Sequence, residues 1–93
     1  MKPAELIGLT EAQLTKVLGN PAFKRVDDPA ALWQYRGTRC ILDLFLYADG
    51  PAYRVTHLEL RGLAGGQPAG TPLQDREAAR CFVDFLPAAK VKG

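Results

Sequence analysis

Four side chains in this sequence are of the types that reactions and metal sites use: Cys40, Cys81, Asp43 and His57. A carboxylate such as Asp43 beside His57 would orient the imidazole and raise its basicity. A thiol or hydroxyl next to that pair would make a nucleophile. The spacing completes neither arrangement. In the strand pattern described below, Asp43 faces His57 on one side of a sheet, while Cys40 and Thr56 point through the other. Cys81 falls on a C-terminal helix, on the opposite side of the sheet from the imidazole. Two thiols and one imidazole also fall short of the roughly four ligands of a structural zinc, and there is no Cys-x-x-Cys. Gly65-Gly66 lacks the Gly-Lys-Ser/Thr and the strand–loop–helix setting of a phosphate cradle. The expectation is therefore no catalytic site, no metal, no cofactor and no enzyme.

The two cysteines leave two readings open. They are buried free thiols, or they form one disulfide, which would imply an oxidising compartment. Closing a loop of about 40 residues would contribute on the order of 3–4 kcal/mol.

Composition narrows the class. The chain has 93 residues, 47% apolar and 24% charged, with a net charge of +2. That suits one domain (1–93) with a single core. Its scattered charge gives no field that would favour nucleic acid. No apolar stretch reaches the roughly 18–20 residues of a transmembrane helix. The start, MKPAELIGLT, does not read as a secretory signal. The protein is then cytoplasmic, unless a signal upstream of Met1 has been removed.

The elements are organised around residues 39–47, RCILDLFLY, which read as a central strand. Cys40, Leu42, Leu44 and Leu46 share one dry face; Ile41, Asp43, Phe45 and Tyr47 share the other. Residues 6–18 read as a helix. Thr10 and Gln13 form a capping box, Leu9 and Leu14 a hydrophobic staple, and Gly19 and Pro21 end the helix. Residues 22–26 suit a short edge strand and residues 32–36 a second strand. Pairing Arg36 with Arg39 across a Gly37-Thr38 type II′ turn puts Trp33 and Tyr35 on the leucine face. Residues 53–61 form the last strand. Pairing Tyr47 with Tyr53 places Thr56, Leu58 and Leu60 on the leucine face and His57 outside; a one-residue slip would instead bury Val55, His57 and Glu59. A Gly-rich loop over 62–70 leads to a helix over 71–86, started by Thr71, Pro72 and Gln74.

The fold class expected is α+β: an antiparallel meander of three or four strands, with an N-terminal and a C-terminal helix packed on one face. Cys40 and Cys81 then both border that core, which favours the bridge if their Cα atoms lie roughly 4.4–6.8 Å apart. The outward face, with Ile41, Phe45, Tyr47, Tyr53 and Val55, is the candidate partner-binding surface. Its occupant is a protein partner, a second copy, or another segment of the chain.

The string GLTEAQLTKVLGNPAFKRVDDPAALWQYRG resembles the small outer-membrane lipoproteins of the SmpA/OmlA, or BamE-like, family. The resemblance covers about residues 6–61. Its motif positions are Gly8, Leu9, Thr10, Leu18, Gly19, Pro21, Trp33, Tyr35, Asp49 and Gly50. It implies a BamE-like or β-lactamase-inhibitor-like architecture and a non-enzymatic periplasmic or outer-membrane-associated protein. It also implies partners among the components that assemble outer-membrane proteins. An alternative function is a small-ligand-binding module using a cleft between the sheet and the Gly-rich loop.

Overall fold

The computed structural model describes residues 2–37, 40–62 and 75–86. Its body is a four-stranded antiparallel meander in the order β1 (Phe23–Asp27), β2 (Ala30–Arg36), β3 (Cys40–Asp49) and β4 (Ala52–Gly62). β3 is the central strand that its sequence implies: Cys40 to Leu44 and Leu46 are buried, and Phe45 and Tyr47 emerge from the other side.

The expected fold class is corrected. The helices do not form a layer of N-terminal and C-terminal helix on one face of the sheet, because the helical segments are too short. Residues 6–18 are not one helix. A 3-10 turn at Pro3–Leu6 comes first, and Gly8 then bends the chain at φ +91°. Only α1, Glu11–Leu18, is α-helical. Thr10 limits it from behind: its backbone is extended, its hydroxyl accepts from Gln13 N, and Gln13 Oε1 accepts from Thr10 N at 2.9 Å. Gly19 ends the helix at φ +80°. At the other end α2, Asp75–Phe82, passes directly into a 3-10 turn, Val83–Phe85. The expected N-cap at Thr71, Pro72 and Gln74 and most of the Gly-rich loop lie outside the described residues. Leu6, Leu14, Leu18, Cys81 and Phe82 each send a side chain into the core around β3. Individual residues, rather than a helical layer, seal it.

The β2–β3 hairpin differs from its expected register by two residues. Tyr35 is opposite Leu42, Trp33 opposite Leu44 and Arg36 opposite Ile41. Gly37 N donates to Cys40 O at 2.8 Å; the expected Gly37-Thr38 turn lies partly outside the described residues. Gly37 sits in a tight space and not at a positive φ: a Cβ there would stand 3.1 Å from the Phe85 ring and 3.2 Å from Cys40 O. A shift of two preserves the pleat. Trp33 and Tyr35 therefore still join the leucines, at 2% and 4% exposure.

β4 follows neither of the two single registers. From Ala52 to Val55 it pairs so that Val55 is opposite Leu46, and from His57 onward Phe45 is opposite His57 and Leu44 opposite Leu58. Thr56 is the extra residue of a β-bulge, and its hydroxyl donates to Phe45 O at 3.2 Å. The bulge lets Val55 and Leu60 both reach the core while His57 and Glu59 stay outside. A regular strand would have forced one set to the wrong side.

Tyr35 ties α1 to the sheet, its hydroxyl donating to Gly19 O at 2.8 Å. Burial pushes its phenol up from the ordinary 10 to about 12. A neutral phenol held to a higher pKa in the folded state stabilises fully below pH 10 and loses that contribution as pH rises toward 12. The loss expected is about 2–3 kcal/mol, visible as falling urea midpoints above pH 10. Tyr35→Phe should flatten that slope; an unchanged slope would put the Tyr35 hydroxyl in solvent.

Candidate partner-binding face

The outward sheet face has a polar centre and an apolar border. Asp43, 5% exposed, accepts from Gln34 Nε2 at 2.9 Å and from Arg61 Nε and NH2, each at 2.7 Å. A buried carboxylate needs such partners, and a forked guanidinium satisfies one of its oxygens twice. The expected Asp43–His57 pair does not form. The hairpin register and the bulge together set His57 two residues along, opposite Phe45, with ring centroids 5.5 Å apart; its Nε2 meets Glu59 Oε2 at 3.2 Å. Asp43, Gln34 and Arg61 thus lock three strands together, and no nucleophile among the described residues joins them.

Of the five residues expected to make the contact surface, two stand clearly in solvent: Phe45 at 37% and Tyr47 at 52%. Ile41 points outward but is only 7% exposed. Val55, 2% exposed, and Tyr53 lie on the leucine face instead, because Tyr53 pairs with Ala48 and Val55 with Leu46. The Tyr53 hydroxyl donates to Asp28 Oδ1, and that hydrogen bond raises the phenol above its ordinary range. The sequence reading missed Phe23, 49% exposed, and Leu32, which flank this face on β1 and β2. The signal was there: in an antiparallel edge strand, Phe23 alternates to the same side as Arg25 and Asp27.

Between these strands lies an open depression of about 330 Å³ lined by Arg25, Asp27, Ala30, Ala31, Leu32 and Phe45. Alkyl and phenyl groups floor it, and the Arg25–Asp27 pair, 2.8 Å apart, stands at its rim. It is a seat for an apolar side chain rather than an enclosure for a small molecule. The cleft expected beside the Gly-rich loop falls largely outside the described residues. Charges on this face are interleaved, with Arg54–Asp49 at 2.9 Å and Arg61–Asp43 at 2.7 Å, so it presents no single-sign field. Among the described residues no group of three or more His, Cys, Asp or Glu is placed to hold a metal. No helix among them is long and apolar enough to cross a membrane.

The second expected site is present. Cys40 and Cys81 form a disulfide with Cα atoms 6.4 Å apart, both sulfurs within the core. It joins the first residue of β3 to the last turn of α2. Compared with protein-family models, with characterised proteins and with solved structures, the chain finds no match.

Proposed function

We propose that this chain is a non-enzymatic protein-interaction domain of an oxidising, envelope-type compartment. Phe45 and Tyr47, with Phe23 and Leu32 beside them, are its contact residues. The carrying observation is the contrast between the two sheet faces. On one, Trp33, Tyr35 and the alternate leucines of β3 are sealed to a few per cent exposure, whereas the other keeps two large aromatics in water next to an open apolar depression. Aromatic residues bordered by paired charges suit a protein partner. The disulfide supports the compartment. The BamE-like resemblance supports the partner class, components that assemble outer-membrane proteins.

The test is retention of envelope proteins on the immobilised, oxidised chain, compared with a Phe45→Ser/Tyr47→Ser variant. Losing two central aromatics is expected to reduce retention by tenfold or more, since each such truncation commonly costs about 1–2 kcal/mol of binding. Equal retention by a variant with native circular dichroism would remove this face from the reading.

A further inference from the structure

Among the described residues β1 is an edge of the sheet with no strand beside it on its outer side, and all five of its residues are exposed. The opposite edge, β4, is partly capped: Gly8 N donates to Val55 O at 2.8 Å and Val55 N to Leu9 O at 3.0 Å. On β1 no described strand plays that part. Two apolar side chains stand along it, Phe23 at 49% and Val26 at 57% exposure. An open edge with such residues is a template for another strand.

The charges of β1 specify which strand. Arg25 and Asp27 are two residues apart on one face, already paired at 2.8 Å with about two thirds of each side chain exposed. For two antiparallel copies of β1 with their faces matched, the two-fold axis must pass through one residue. On Lys24 it sets lysine against lysine. On Arg25 it sets arginine against arginine and Phe23 against Asp27. On Val26 it sets valine against valine, and Arg25 of each copy opposite Asp27 of the other. The two pairs within the chains and the two between them then form a square of alternating sign.

We infer that the occupant of this edge is a second copy of the chain, paired antiparallel through β1 with Val26 on the two-fold axis. The sheets of the two copies become continuous, and their outward depressions, each rimmed by Arg25 and Asp27, meet at the seam. This deepens the reading of the chain as an interaction domain by naming one partner and one register. Opposite charges directly across two strands stabilise the pairing, and like charges destabilise it to a similar degree. The symmetry doubles both effects.

The experiment is sedimentation equilibrium of the oxidised chain over a concentration series at low salt. The wild type is expected to self-associate to a dimer, weakened by added salt. Arg25→Asp places aspartates opposite one another and is expected to raise the dissociation constant about tenfold or more. The exchange Arg25→Asp/Asp27→Arg rebuilds the square with its signs reversed and should return within about threefold of wild type. A wild type that stays monomeric to about 1 mM, an Arg25→Asp variant that associates like wild type, or a folded exchange variant that fails to recover would each overturn the dimer. The Phe45→Ser/Tyr47→Ser comparison separates the two ideas. If wild type is monomeric but that variant still loses retention, the dimer alone falls. If retention is unchanged, the face reading falls and sedimentation still decides the dimer.

Discussion

Replacing both cysteines, Cys40→Ala/Cys81→Ala, should lower the stability of the fold by about 4 kcal/mol. The disulfide spans 41 residues of sequence. In the chain-entropy account, a crosslink closing a loop of that length removes about 4 kcal/mol worth of freedom from the unfolded chain. The native side gains as well, because the bridge anchors α2, whose Phe82 is fully buried against the sheet. For a domain of this size about 4 kcal/mol is a large share of the whole stability. Urea unfolding followed by the fluorescence of Trp33 measures it, and the double variant should show a far lower midpoint. Alkylation in denaturant is the companion measurement. Unreduced protein should gain no mass, and reduced protein should gain two adducts. Two adducts without reductant, or a double variant within about 1 kcal/mol of wild type, would mean that the bridge does not hold the fold in solution.

Trp33→Ala should cost about 3–5 kcal/mol, the range for removing a large buried aromatic. Trp33 is 2% exposed and pairs with the fully buried Leu44, between Ala31 and Tyr35 on its own strand. Lys24 covers the ring from β1, with Nζ 4.5 Å from the ring centroid. That placement adds a cation–π contact, which an edge lysine supplies without leaving water. Among the described residues the indole Nε1 is the buried side-chain polar atom without a hydrogen-bond partner. Trp33→Phe keeps an aromatic ring under Lys24 and removes that unpaired donor, so it should cost clearly less than the alanine change. Circular dichroism melts of both variants check the order. If Trp33→Ala costs under about 1 kcal/mol, the indole does not lie in the core.

Which features could be read in advance follows from how local their causes are. The β3 strand and the sidedness of Trp33 and Tyr35 were legible because alternation survives any even shift of register, including the two-residue shift of this hairpin. The capping box of α1 was legible because it lies within four residues, Thr10 to Gln13. The bridge between Cys40 and Cys81 was favoured because both were expected to border one core. The helices were over-read: a strong start signal says where a helix begins and nothing about whether it is long enough to form a layer. The bulge at Thr56 was not legible. Each regular register of β4 misplaced some residues, and only a strand with one extra residue reconciled Val55 with Leu60. Two offsets in β4 carry the other errors on the outward face: the hairpin sets Tyr53 opposite Ala48 rather than Tyr47, and the bulge adds a second residue. Tyr53 and Val55 were assigned to the wrong side, and Asp43 was paired with His57 instead of Arg61. Phe23 was passed over because lysine and arginine beside it made β1 look like a plain guarded edge.

Hydroxyl-radical footprinting of the isolated, oxidised chain asks most directly whether one sheet face is closed and the other open. Relative to the urea-unfolded chain, Trp33 and Phe82 should be strongly protected, although indole is among the most reactive side chains. Phe23, Phe45 and Tyr47 should be modified at rates close to those of the unfolded chain at concentrations where it is monomeric. Modification of Trp33 as fast as Tyr47, or protection of Phe45 and Tyr47 in the monomer, would contradict both the sealed core and the surface proposed to meet a partner.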